Sequence, residues 1–139
     1  MLHSPLIAIV DSDVACRDML RELLDEEGYQ VVACADGRAA LPLLADRQPD
    51  VVIVDVGPAM GAVECHTQRL LRYVTSRRPT SLILCSTDPR LAVERSPALH
   101  DLSCATLTKP FHIDALLSLV RAALWQAGES ERKVGDDGS

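Results

Sequence analysis

Basic charge is scarce in this chain: 14 Lys and Arg stand against 20 Asp and Glu, a formal net charge of −6 over 139 residues. Duplex binding needs a cationic footprint that neutralises phosphates, so direct recognition of nucleic acid is not expected. Arg69, Arg72, Arg77 and Arg78 form the only basic cluster, which on one helix reads as a solvated face or a partner surface. Long apolar runs are missing too. None approaches the ~20 residues needed to span a bilayer, and the opening MLHSPLIAIVDSD has neither a basic leader nor an extended apolar core. The expectation is a cytoplasmic, unprocessed protein without membrane contact. Metal-ligand spacing is absent as well. Cys16, Cys34, Cys65, Cys85 and Cys104 contain no C-x-x-C pair, and His3, His66, His100 and His112 do not stand in ligand spacing with another His or Cys. Free, largely buried thiols are therefore expected. The length leaves room for one domain and no second. At 47% hydrophobic residues the chain is too apolar to be disordered.

What is present is a strict alternation of strand and helix signals. Leu6 to Val10 is a short continuous apolar run, as in a strand buried on both faces. Val14, Met19, Leu20, Leu23 and Leu24 follow at helical spacing, with Ser12 or Asp13 available as N-cap and Gly28 placed to end the helix. The unit repeats through a strand at 30–34, a helix at 37–46 carrying Pro42, a strand at 51–54 and a helix at 63–76. A fourth strand is expected at 82–85, a short helix at 89–96, a fifth strand at 104–108, and a last amphipathic helix on Ile113, Leu116, Leu117, Val120, Ala123 and Leu124. Five such units predict an α/β fold with a parallel sheet covered by helices on both faces. The domain is expected to span 1–127. Residues 128–139 are polar and without periodicity, and a disordered tail is expected there.

Several strands end in a chemically loaded residue. IAIVDSD delivers Asp11 and Asp13, VVIVD delivers Asp55, LILCST delivers Ser86 and Thr87, and ATLTKP delivers Lys109. Singly these have ordinary explanations: Asp after a strand is commonly a helix cap, a Ser-Thr pair caps as well, and Lys-Pro makes a loop. Jointly they are more specific, because residues past the carboxyl ends of parallel strands converge in one crevice. Two carboxylates, a hydroxyl and an ammonium meeting there suit a magnesium-type cation and a phosphoryl group.

From about Leu6 to Leu124 the chain resembles the receiver domain of bacterial response regulators. The resemblance rests on IAIVDSDVACRDMLRELLDEEGYQV, ADGRAAL, PDVVIVD and TLTKPFHIDALLSLV. It implies a flavodoxin-like, doubly wound sheet of strand order 2-1-3-4-5 that signals in two-component phosphorelays and accepts a phosphoryl group on Asp55. It further implies Mg2+ held by Asp11, Asp55 and the Gly57 backbone carbonyl, and Lys109 on the phosphoryl oxygens. Ser86, or Thr87 if the alignment slips by one, would be the hydroxyl that turns towards the new phosphate. A sensor histidine kinase or phosphotransfer protein upstream, a downstream protein target, and pairing of two copies through the last helices also follow from the resemblance. With no output domain expected, signalling would proceed by protein binding.

The chain departs from that pattern at functional positions. Ser12 stands where the family has a metal-binding acid, with Asp13 as the one nearby substitute; VGPAMGAVE follows Asp55 in place of a Met-Pro turn; and Thr106 replaces a switch aromatic, in a chain with one Phe and two Tyr. A domain that works without phosphorylation, through its surfaces, is thus an alternative. So is an enzyme: IAIVDSDV also fits the first motif of haloacid dehalogenase-like phosphatases, with Asp11 as nucleophile and Asp13 as acid/base. That family expects a further acidic pair after the lysine, and KPFHIDALLSL offers only Asp114.

Overall fold

The computed structural model describes residues 4–56, 65–76, 80–94 and 104–137. Strand and helix alternate through β1 (Leu6–Val10), α1 (Val14–Glu26), β2 (Gln30–Cys34), α2 (Gly37–Asp46), β3 (Val51–Asp55), α3 (Cys65–Thr75), β4 (Ser81–Ser86), α4 (Pro89–Glu94), β5 (Ala105–Thr108) and α5 (Ile113–Asp137). The strands form one parallel sheet of order β2-β1-β3-β4-β5.

The continuous apolar runs are explained by that order. β1, β3 and β4 are the inner strands, and successive side chains on a strand point to opposite faces, so both sets must be apolar. Ala8, Val10, Val52, Val54, Leu82 and Leu84 pack with Ala40 and Leu44 of α2 and Leu70, Leu71 and Val74 of α3. Ile7, Ile9, Val51, Ile53, Ile83 and Cys85 pack on the other face with Leu20 and Leu24 of α1 and Leu116, Leu117 and Val120 of α5. β2 and β5, at the edges, are less buried.

Local signals set the helix ends. Asp13 caps α1, its Oδ1 accepting from the amides of Ala15 (3.0 Å) and Cys16 (3.3 Å), and Gly28 ends the unit at φ +90°, a conformation that costs glycine little. Asp36 caps α2 through the Ala39 amide at 2.8 Å. Pro42 sits inside α2, which nevertheless runs on to Asp46. Gly37 lets the start of α2 meet α3: a Cβ there would collide with the His66 carbonyl oxygen.

Boundaries shift by a residue or two at several elements, β4 running Ser81–Ser86 and β5 starting at Ala105, and two further differences matter more. Asp55 is the last residue of β3 rather than the first beyond it. The last helix continues to Asp137, through the segment for which composition predicts a structureless tail. That segment contains no proline, and once nucleated a helix adds residues at small cost.

Candidate functional site

The chain reverses direction across the sheet between β1 and β3, since β2 lies on one side of β1 and β3, β4 and β5 lie on the other. A crevice opens at such a point past the carboxyl ends of the strands. Val10 is paired with Val54, so Asp11 and Asp55, one step further along each strand, flank it. Asp55 is in turn level with Cys85, and Ser86 with Thr108, which brings the start of the β5–α5 connection beside them.

Lys109 joins the two acids. Its Nζ donates to Asp11 Oδ2 at 2.9 Å and to Asp55 Oδ2 at 3.0 Å. The side chains are 20% exposed for Lys109, 13% for Asp55 and 2% for Asp11, so the cluster is open to solvent on the Lys109 and Asp55 side only. The backbone holds the start of the β5–α5 connection in place: the Lys109 amide donates to the Ser86 carbonyl at 2.8 Å. Burial alone would lower the ammonium's pKa, but the hydrogen bonds to Asp11 and Asp55 outweigh it and hold Lys109 above the ordinary lysine value. Asp11 is the mirror case. Burial would raise its pKa, yet the Lys109 bond, assisted by Cys16 and the Asp13 amide, keeps it below the ordinary carboxylate value.

All four polar groups of Asp11 are engaged. Its amide donates to the Cys34 carbonyl at 3.1 Å, and its carbonyl accepts from Arg17 Nη1 at 3.0 Å. Oδ1 accepts from the Asp13 amide at 2.9 Å, leaving Oδ2 to Lys109. Two thiols border the cluster. Burial pushes Cys85 up to about 12, and burial with a hydrogen bond to Asp11 pushes Cys16 up to about 11, so both stay as neutral packing groups near neutral pH.

The "Response regulator receiver domain" family profile matches residues 7–121, most of the chain and every strand just described. The chain belongs to this family. Among its relatives, the response regulator MprA of Mycolicibacterium vanbaalenii is 37% identical over 134 residues, covering 96% of this chain and 53% of the relative. The transcriptional regulatory protein KdpE of Mycobacterium tuberculosis is 32% identical over 133 residues, covering 93% and 56%. The receiver thus spans about half the length of these curated relatives. Among solved structures, the signal receiver domain of an HD domain-containing protein from Pseudomonas fluorescens superposes with a TM-score of 0.76 at 29% identity, covering 95% of this chain and 96% of that one. The chemotaxis protein CheY4 of Vibrio cholerae has the same fold, with a TM-score of 0.67 at 23% identity.

The receiver brings together Asp11, Asp55 and Lys109, as their strand-end positions predict. Ser86 is fully buried beside them: its carbonyl takes the Lys109 amide, and its Oγ accepts from the Asp88 amide at 3.1 Å. Thr87 is exposed. Ser12 is exposed in the β1–α1 loop, Asp13 is committed to capping α1, and Gly57 lies outside the described residues. Among the described residues no three His, Cys, Asp or Glu side chains gather as a metal cluster. None of their helices is long and apolar enough to cross a membrane.

The phosphatase alternative loses its support here. The residue it requires as acid/base, Asp13, is the helix cap; its nucleophile, Asp11, is buried with both oxygens engaged; and the family match lies elsewhere. Sequence reasoning missed Arg17. The available signal is a cation four residues after the capping Asp13, which returns its side chain to the loop that starts the helix.

Proposed function

We propose that this receiver, on the cytoplasmic side of a two-component system, accepts a phosphoryl group on Asp55. The observation that carries the reading is the single Lys109 ammonium shared by Asp11 and Asp55 at 2.9 and 3.0 Å. A carboxylate oxygen of Asp55 attacks phosphorus; the new O–P bond forms as the bond from phosphorus to the donor breaks, and the donor leaves with that electron pair. No proton need move. The obstacle is repulsion between the carboxylate and the phosphoryl oxygens, and Lys109, already within reach of Asp55, offsets it.

Mg2+ suits the donor set. Asp11 and Asp55 supply hard carboxylate oxygens around one point, and magnesium is commonly held by one or two carboxylates with water completing its shell. Bound there, it would neutralise charge on the phosphoryl oxygens. Ser12 removes one carboxylate from the set, and Asp13, as helix cap, does not replace it. Weak affinity for the metal follows from that composition.

The readout runs through Ser86. Its Oγ accepts from the Asp88 amide, the turn immediately before α4. A hydroxyl drawn to a phosphoryl group on Asp55 gives up that bond and loosens the start of α4, coupling a local charge to a surface helix. The upstream partner is a histidine kinase or phosphotransfer protein, and the downstream partner a protein that reads the α4–β5 region. Thr106, exposed on β5, cannot report the change as an aromatic side chain would.

Intact-protein mass after incubation with Mg2+ and acetyl phosphate tests this reading, with Asp55→Asn in parallel. One phosphoryl adduct, absent from the variant, is expected. An unmodified but folded wild type would overturn it in favour of a phosphorylation-independent interaction module, the reading that Ser12 favours.

A further inference from the structure

We propose that Arg17 is a positioning residue for the acidic pocket: its guanidinium ties α1 back to the Asp11 carbonyl and so holds the Asp11 carboxylate where Asp55, Lys109 and a cation can use it. This rests on the Mg2+ and phosphoryl-acceptor reading of the same site.

The β1–α1 loop is short, and its geometry decides where Asp11 points. Three contacts determine it. The Asp11 amide is tied to β2 through the Cys34 carbonyl, the Asp11 carboxylate receives the Asp13 amide at 2.9 Å, and the Asp11 carbonyl receives Arg17 Nη1 at 3.0 Å. The first two are made by the backbone and survive most substitutions. Of these three only the last depends on a side chain from beyond the loop; the Lys109 ammonium on Oδ2 comes from across the crevice and belongs to the pocket being positioned. Arg17 is half-buried, and because Asp13 caps α1, the helix start and Arg17 form one rigid piece with the loop. A charged donor to a carbonyl gives a stronger hydrogen bond than a neutral one.

This anchoring matters more here than in a pocket with a full set of acids. With Ser12 exposed and Asp13 turned to the helix, Asp11 is the sole side-chain carboxylate from β1 that meets Lys109 and Asp55. An error in its orientation has no neighbouring acid to absorb it. Partners that orient a ligating side chain typically change metal affinity by about 10–100-fold when removed.

Two measurements on Arg17→Ala test the assignment. In the metal-free protein, hydrogen exchange of the Asp13 amide reads the loop directly; the variant is expected to lose about tenfold protection there, with core amides of β3 unchanged. By calorimetric titration, Mg2+ binding is expected to weaken about tenfold, with Arg17→Lys recovering most of the loss because an ammonium can donate to the same carbonyl. Leu20→Ala, which empties a fully buried position on the same helix, separates positioning from general loosening of α1. It should lower the melting temperature more than Arg17→Ala and leave the Mg2+ Kd within about twofold. Unchanged Asp13 exchange in Arg17→Ala would overturn the proposal, and so would an equal rise in Kd in Leu20→Ala. A wild type that takes no phosphoryl group defeats the acceptor reading alone, since the metal-free exchange still decides the role of Arg17.

Discussion

The two ends of the sheet use the same residue type for opposite purposes. At the amino ends of the strands Asp50 is a clamp: its Oδ2 accepts from the Leu6 amide at 2.8 Å, its amide donates to the Leu6 carbonyl at 2.8 Å, and its carbonyl receives the Ser81 amide at 2.9 Å. It stitches β1, β3 and β4 together with backbone partners. At the carboxyl ends, Asp11 and Asp55 meet a side-chain ammonium. An ammonium on a flexible stem can turn towards an incoming phosphoryl oxygen, whereas backbone amides of a sheet cannot move without breaking it. Under the proposed acceptor role, chemistry belongs to the end where the partners are exchangeable, and stability to the end where they are not.

The largest effect should separate the ends outright. Asp55→Asn is expected to abolish the acetyl-phosphate adduct while keeping the fold, as read by intact mass and circular dichroism. Next comes Lys109→Met, which removes the shared cation. Losing a preorganised charge beside a developing anion costs roughly 10²–10³-fold in rate, measurable as the initial rate of adduct formation. The same variant leaves Asp11 buried without its main stabilising partner. In the wild type the depressed Asp11 pKa means that its contribution to stability is present above the unfolded carboxylate value and is lost as pH falls through the folded one. In Lys109→Met burial dominates instead and raises the Asp11 pKa, so the fall in melting temperature on acidification should begin at higher pH than in the wild type.

Asp50→Ala probes the other end. It orphans the Leu6 amide, and a half-buried donor left unsatisfied costs about 1–3 kcal/mol, visible as a lower urea midpoint. Adduct yield under native conditions should match the wild type. If Asp50→Ala also blocks phosphorylation, the division between a structural end and a chemical end fails.

How far the sequence reveals this division depends on the residue. The inner strands are legible because burial on both faces demands unbroken apolar runs, as in Ile7–Val10 and Val51–Val54. Asp11 and Asp55 are legible because each ends such a run, and Lys109 is legible with them because it follows the shorter, mixed run ATLT of an edge strand. Asp50 is not: an Asp before a strand carries no sign that its carboxylate will reach across to Leu6, 44 residues away. Arg17 escapes for a related reason, since its partner is a backbone carbonyl and backbone groups leave no mark in composition. The choice between Ser86 and Thr87 also needs geometry. Both end the same run, and what separates them is burial: Ser86 is the last buried residue of β4 and Thr87 is exposed. The extent of α5 is misread because polar composition predicts solubility more directly than it predicts chain conformation.

The smallest change tests whether the chemical end is one carboxylate short. Ser12 is exposed in the loop between Asp11 and Asp13, so an acid there needs no new cavity and displaces no buried group. Ser12→Asp adds a negative charge beside a site now holding two carboxylates against one ammonium. Two unit charges 4 Å apart interact by about 4 kcal/mol at an effective dielectric near 20, and a solvated loop position retains only part of that. A gain of ~1.4 kcal/mol, or about tenfold in Mg2+ affinity, is the expected outcome by calorimetry, with adduct formation reaching half-maximal rate at correspondingly lower Mg2+. The added charge also competes for Lys109, so the metal-free protein should gain little stability. Unchanged Mg2+ affinity in Ser12→Asp would mean that the loop does not point position 12 into the pocket. The weak metal binding proposed for this site would then be ascribed to how α1 begins, at Asp13 and Arg17, rather than to one missing acid.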